Sequence, residues 1–377
     1  MSLVVDLVHS VDQLTSQQLD QWNALADNPF QRWEWLGAWW NAYRHNQVLH
    51  LLLVSDGEQL VGIAPWFMGN RLATGRTLQF LGSGKACTDH LSLLTLPEDA
   101  PRVADAIAQW LVDSSNGLLA LPRGLEWDAI ELIGIDEDDV PSQFLMDGLR
   151  ARGIEVQATN GLPCYVIDVP EDWESYVRMR SKSGRREIRQ AQKRFDDGTI
   201  VVETAQTAAD VEQYWDWFVR LHQARRQDAG TSGCFDYPQF DVFLRSAAAL
   251  LMDSERLKLV IAKHRNQPVA AQFSLVDEKA WYFYQSGMDP NASDLRPGLS
   301  LFCFTIRETI ESGRRQFDML RGDESYKLRW RAQPRPTWEL RAFSHRPTSQ
   351  MRKRVVQVGQ TFKNLIRPLV AAPQPHQ

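Results

Sequence analysis

Apolar and polar positions along the chain change period repeatedly, and each change marks an element. The opening SLVVDLV reads as a strand, and the polar stretch from Ser16 to Ala26 as a helix. In DNPFQRWEWLGAWWNAYR, Pro29 blocks continuation of that helix, and Trp33, Leu36, Trp39, Trp40 and Tyr43 recur at the spacing of a new one. An aromatic stripe at this spacing predicts core packing ahead of a sugar-stacking platform. LHLLLVSDGEQLVGIAPWFM sets two apolar runs around Ser55-Asp56-Gly57-Glu58, which predicts a β-hairpin. TLQFLGSG follows as a strand ending in glycines, then a helix from about Ala100 to Asp113 and the strand WDAIELIGI.

Beyond a connection running from about Asp136 to Gly161 the same order returns. LKLVIAKHRNQPVAAQFSLV repeats the hairpin, with Gln267 and Val269 where Gln59 and Val61 stand in the first copy. WYFYQSGMD echoes TLQFLGSGK, aligning Phe283, Ser286 and Gly287 with Phe80, Ser83 and Gly84. The helix SLFCFTIRETIESG and the strand RQFDMLRGDE complete the second copy. A repeated hairpin, strand, glycine-containing loop, helix and strand predicts two related α/β units. Their expected bounds are 1–160 and 161–345, with a tail at 346–377.

Length agrees, because 377 residues exceed what one core ordinarily serves. A hydrophobic share of 44% and a charged share of 24% are those of an average globular chain, and the net charge of -5 does not suggest a general nucleic-acid binder. Cys87, Cys164, Cys234 and Cys303 are far apart in sequence, so neither a zinc site nor a disulfide framework is indicated, and no metal is expected. The N-terminal stretch lacks a basic region and carries Asp6, which argues against a signal peptide, and no apolar run has bilayer-spanning length. A cytoplasmic protein without stable membrane insertion is expected.

Three charged segments modify this picture. FDMLRGDESYKLRW, residues 317 to 330, crowds three carboxylates, two arginines, a lysine and a tyrosine behind a buried strand. By strand alternation Asp318 and Leu320 point to one face, and Phe317 and Met319 to the other. RMRSKSGRREIRQAQKRF, residues 178 to 195, carries eight lysines and arginines against one glutamate and reads as a helix from about Ser183. Arg185, Arg186 and Arg189 on it are candidate phosphate ligands. From Arg346 to Arg367 the chain has six basic and no acidic residues, with Val355, Val358, Phe362, Leu365, Ile366 and Leu369 at helical spacing. Docking of that helix on the protein body is expected in preference to a membrane. His222, on the apolar side of a helix with Tyr214, Trp215 and Phe218, reads as a packed histidine.

The tandem order resembles the acetyl-CoA-binding half of the GNAT fold used twice, as in the FemABX transferases. NPFQRWEWLGAWWNAYR, RSKSGRREIRQAQKRF, LHQARRQDAG and LRPGLSLFCFTIRETIESGRRQFDMLRGDESYKLRW together are similar to GNAT-type acyltransferases grouped with the cellulose-biosynthesis protein CelD. The resemblance runs from about residue 28 to 343. It implies an acyltransferase with acyl-CoA as co-substrate and an amine or hydroxyl of a small or sugar-linked acceptor, in polysaccharide or cell-envelope biosynthesis. The carrier's pyrophosphate would sit on the loop DPNASDLRPG and the helix start after it, at Arg296, Pro297, Gly298, Leu299 and Ser300. Only Gly298 stands where the usual GNAT pattern has two glycines separated by one residue. Acyl transfer needs a base, donors for the carbonyl oxygen and an acid for the thiolate. Asp318, Asp323 and Glu324 are the candidate bases, Tyr326 or Tyr284 the acid, and Arg321 and Lys327 the groups that would hold a phosphate or carboxylate. The first unit, with SGKACTDH as the corresponding loop, would shape the acceptor side. An aminoacyl transferase drawing on aminoacyl-transfer RNA and a catalytically silent scaffold are the alternative readings.

Overall fold

The computed structural model describes residues 3–370, with side chains through 358. Its strands are β1 (Val4–Val8), β2 (Gln47–Asp56), β3 (Gln59–Arg71), β4 (Gly75–Phe80), β5 (Leu94–Thr95), β6 (Ala129–Asp136), β7 (Val156–Asn160) and β8 (Cys164–Asp168). They continue with β9 (Val201–Thr204), β10 (Leu257–His264), β11 (Gln267–Val276), β12 (Ala280–Met288), β13 (Gln316–Arg321), β14 (Gln333–Arg335) and β15 (Thr337–Phe343). One sheet runs β1-β2-β3-β4-β6-β15-β7 with β5 beside β3, and the other runs β14-β8-β13-β12-β11-β10-β9.

The repeat expected from sequence is built in hydrogen bonds. Each sheet contains an antiparallel hairpin, β2–β3 or β10–β11, closed by a two-residue turn. Gly57 at φ 63 supplies the left-handed residue in one turn, and Arg265 at φ 49 with Asn266 at φ 61 supply two in the other. Each hairpin is followed by an antiparallel strand, β4 or β12, and then by a helical crossover, Ala100–Ser115 or Pro297–Glu311. The crossover returns the chain to a parallel neighbour, β6 or β13. The fold is therefore α/β, with two tandem GNAT-like units whose mixed sheets are flanked by helices.

Strand membership does not follow chain order at the junctions. The segment 337–343 falls within the stretch expected to form the second unit, yet β15 pairs with β6 and β7 of the first sheet. β8, near the start of that stretch, stays in the second sheet and pairs with β13 and β14. Helix Trp33–Tyr43 is buried nearly all round, because the first sheet lies on one side and helix Pro238–Asp253 on another. Trp33, expected on its buried stripe, is only partly covered, whereas Trp35 is fully buried with its ring centroid 4.7 Å from Phe243 and 4.9 Å from Tyr284.

The C-terminal helix Pro347–Val370 attaches through its polar side. Ser349 Oγ donates to the Asp128 carbonyl, Gln350 Nε2 donates to Ser344 O at 2.6 Å, and Arg352 Nη1 donates to Leu72 O at 2.9 Å. Contrary to the docking expected of its apolar stripe, Met351, Val355 and Val358 face solvent. Phe362, Leu365, Ile366 and Leu369 lie outside the described side chains. No helix among the described residues is long and apolar enough to cross a membrane.

Candidate active site

β12 and β13 pair only from Ala280 with Gln316 to Tyr282 with Asp318, and then part. In the gap beyond lies a cavity of about 380 Å³, walled by the end of β12, the start of helix Pro297–Glu311 and the segment after β13. A bulge helps to open it. Phe273 of β11 faces Gln285 while Ser274 faces Phe283, which leaves Tyr284 as the extra residue. Gly287 is required here, because a Cβ would stand 2.1 Å from the backbone nitrogen of His222 on helix Ala208–Asp228. His222 itself is fully buried between Gln223 and Gln285, and burial lowers its pKa, so it is a packed neutral side chain.

The helix start that sequence singled out borders this cavity. Arg296, at φ 49, precedes Pro297 in the first turn, so the N–H groups of Gly298 and Leu299 have no carbonyl partner within the helix. Both residues line the cavity. Ser300 is fully buried, with no hydrogen-bond partner for its hydroxyl among the described residues.

Four arginines, at 180, 225, 296 and 329, share the lining with Phe283, Phe302, Tyr326 and Trp330. Arg296 and Arg329 both clasp Glu187, at 2.8 and 2.9 Å. Arg225 Nη1 donates to Ser286 Oγ at 2.6 Å. Arg180 is different. It is 4% exposed, its guanidinium lies 4.5 Å from the Trp330 ring centre, and its Nη1 donates to Arg329 O. Its Nε has no partner, and no carboxylate among the described residues lies within ion-pair distance. Tyr326 has its pKa pushed up to about 12, by burial first and by Glu324 second, so its phenol keeps its proton near neutrality.

Several residues expected at the site stand elsewhere. Asp318 and Tyr284 turn toward the first unit. Tyr284 is buried and donates to Ala86 O at 2.7 Å. Asp318 Oδ1 accepts from Leu320 N at 2.7 Å, and its other oxygen lies 3.2 Å from His90 Nε2. His90 Nδ1 lies 2.8 Å from Asp136, which places the ring between two carboxylates. Burial opposes charge on this histidine, yet Asp136 and Asp318 outweigh it and hold the pKa well above the ordinary 6.5. Arg321 pairs with Asp89 at 2.9 Å. Lys327, 2% exposed, donates to Leu320 O and Arg321 O at 3.0 Å and pairs with Glu324. It closes the strand end, where Leu320 holds φ 55, and does not line the cavity. Asp323 and Glu324 are exposed on the turn beyond β13. On the basic helix, now Lys182–Asp196, Arg185 donates to Arg180 O at 2.8 Å, and Arg186 and Arg189 are exposed, so Glu187 is the side chain turned to the cavity. His90, Asp136 and Cys164 bring ligand atoms within 4.8 Å of one another, but both ring nitrogens face carboxylates and burial pushes the thiol pKa up.

Sequence reasoning missed Arg180, Glu187, Arg225, Arg329 and Trp330. One signal was available for Arg180. Ser181 caps the helix by accepting from Gly184 N at 3.1 Å, so the preceding arginine leaves the helix axis and is free to turn inward.

Comparison with known proteins agrees with the class of fold. A family model described as an acetyltransferase (GNAT) domain matches residues 182–328. The structure of FemX is similar at TM-score 0.62, with 10% identity over 89% of this chain and 96% of that one. A conserved protein of unknown function from Bacteroides thetaiotaomicron is similar at TM-score 0.54, with 10% identity over 90% and 100% of the two chains. The C-terminal domain of a putative lysylphosphatidylglycerol synthetase from Agrobacterium fabrum is similar at TM-score 0.51, with 12% identity over 91% and 96%. No curated protein matches the chain. The matches support a GNAT-superfamily fold.

Proposed function

We propose that the chain is an acyltransferase that takes an acyl group from acyl-CoA and passes it to an amine or hydroxyl of a small or sugar-linked acceptor. The observation that carries this reading is Arg180, a buried cation without an acid partner, aimed at a cavity that also holds a free helix N-terminus. Burying an unpaired charge is costly, so the site is built for an anion that arrives with the ligand. The aromatic walls suit the remainder of a carrier that is part phosphate and part apolar. In this reading the N–H groups of Gly298 and Leu299 hold the pyrophosphate, with Arg225 and Arg296 beside it. The acceptor nitrogen or oxygen attacks the thioester carbonyl, the C–S bond breaks, Tyr326 gives its proton to the departing thiolate, and the proton released by the acceptor passes through water to the Tyr326 oxygen. Glu187, the carboxylate in the cavity lining, has its Oε1 engaged by two arginines, so an acceptor amine is expected to arrive neutral, its ammonium proton already lost to solvent. The first unit shapes the acceptor side, because its loop at Ala86 to His90 is occupied by contacts with Tyr284, Arg321 and Asp318.

Thermal unfolding with and without CoA tests the proposal. A carrier at 100 times its dissociation constant should add about 2.7 kcal/mol of stability. No shift with CoA or acetyl-CoA at millimolar concentration would sink it. The likeness to FemX across most of the chain favours a second reading, an aminoacyl transferase using aminoacyl-transfer RNA. That reading requires salt-dependent transfer RNA binding that Arg186→Glu and Arg189→Glu abolish, with no response to CoA.

A further inference from the structure

We propose that one edge of the first sheet is a docking surface for an anionic phospholipid bilayer. β4 and β6 run parallel, so the turn that precedes β4 and the loop that leads into β6 meet at the same edge. Helix Pro347–Val370 begins there, tied to both by the bonds from Ser349 to Asp128 O and from Arg352 to Leu72 O. This edge collects apolar side chains that cover nothing. Leu72 at the turn is 100% exposed, Leu118 in the loop 71%, and Met351, Val355 and Val358 on the helix 69%, 68% and 57%. They are five of the six most exposed large apolar side chains among the described residues, so they are not the scattered single exposures of an ordinary surface. The three helix positions recur at i, i+4 and i+7 and form one stripe.

Charge selects the occupant. From Arg346 to Arg367 the chain carries six basic and no acidic residues; Arg346 faces Glu126 and Asp128 and Lys353 pairs with Glu155 at 2.7 Å, so the positive charge presented to solvent comes from the others. Arg354 beside the stripe and Arg123 in the loop are exposed. A second copy of the chain seated on this edge would bring two basic helices together, whereas anionic headgroups would neutralise one. A basic helix with an apolar stripe lies in the headgroup plane and buries that stripe at the acyl boundary. Leu72 enters beside it as a fixed wedge, held by the bond from Arg352.

Flotation of the full chain with vesicles of phosphatidylcholine, with and without phosphatidylglycerol, tests this. Binding is expected only when phosphatidylglycerol is present, and it should fall as salt is raised. Arg354→Glu, and separately the pair Leu72→Asp with Val355→Asp, should each weaken binding by about tenfold or more. All three side chains are exposed, so circular-dichroism melting should be unchanged and serves as the folding control. Failure to float with phosphatidylglycerol at low salt, or equal flotation of parent and variants, overturns the proposal. So does light scattering that shows a dimer dissolved by the same substitutions, because the edge would then join two copies.

Discussion

Arg180 and Asp318 are both buried charges, and their surroundings give them opposite roles. Arg180 meets aromatic rings, a carbonyl and the cavity, but no acid. Arg180→Met keeps much of the volume and removes the charge, so the parent fold should be as stable or slightly more so. Affinity for a phosphate-bearing ligand should fall by about tenfold to a hundredfold, the worth of a charge-assisted hydrogen bond of about 1.5–3 kcal/mol. Calorimetric titration with CoA beside a melting curve separates the two effects, and unchanged affinity removes Arg180 from the site. Asp318 is fully engaged by Leu320 N and His90. Asp318→Asn should therefore lower the melting temperature while leaving most of the turnover with any substrate pair that is found. A loss of turnover with stability intact would restore it as a base. The sequence marked Asp318 as unusual because a carboxylate sat inside an apolar strand. Alternation separated it correctly from Phe317 and Met319, which pack under helix Pro297–Glu311. A period of two cannot say which face looks into a cleft, and that depends on the partner unit.

At the level of elements, the helix start after β12 was legible and the use of the basic helix was not. Proline and glycine in sequence announce a first turn, and the strand order of each unit follows from one hairpin and one crossover. The basic helix was recognised by composition, but composition does not give rotation about an axis. Ile188 and Ala191 are buried and fix that rotation, and it turns Glu187 to the cavity and Arg186 and Arg189 to water. The helix start yields a test that separates binding from folding. Gly298 does not hold a positive φ, and an added Cβ would meet only Met288 Sδ, at an ordinary 3.5 Å. Gly298→Asp should therefore fold normally, and an acid in the first helical turn is mildly stabilising. It places negative charge where a pyrophosphate would sit, so CoA-dependent stabilisation should vanish. A folded variant with the parent's thermal response to CoA would put the carrier elsewhere.

For the whole molecule, the doubled pattern showed two units in sequence, but not that the chain returns β15 to the first sheet or that the two units share a core. β15, TWELRAF, suits an edge or an interior position in either sheet, so its own pattern could not choose the first. Trp35 was missed because a helix buried on several sides has no single stripe to read. These links predict one cooperative unfolding transition by calorimetry, with Trp35→Ala lowering stability by about 3–5 kcal/mol without splitting the peak. The loop carrying His90 is the electrostatic part of the same junction, and its proton gives stability a pH dependence with a definite sign. Its pKa is raised on folding, so the native state holds a proton that the unfolded chain releases above about 6.5. The contribution is complete below that value and is lost as pH rises through the higher folded pKa. His50 works in reverse. Burial lowers its pKa to about 3, so its contribution is complete above about 6.5 and is lost as pH falls from there through about 3. Urea denaturation across pH should therefore show stability falling on the alkaline side of neutrality in the parent. His90→Gln should be less stable near pH 6 and should lack that alkaline slope, while its acid limb, governed in part by His50, remains. An alkaline slope equal in parent and variant would show that the junction carries no proton between Asp136 and Asp318.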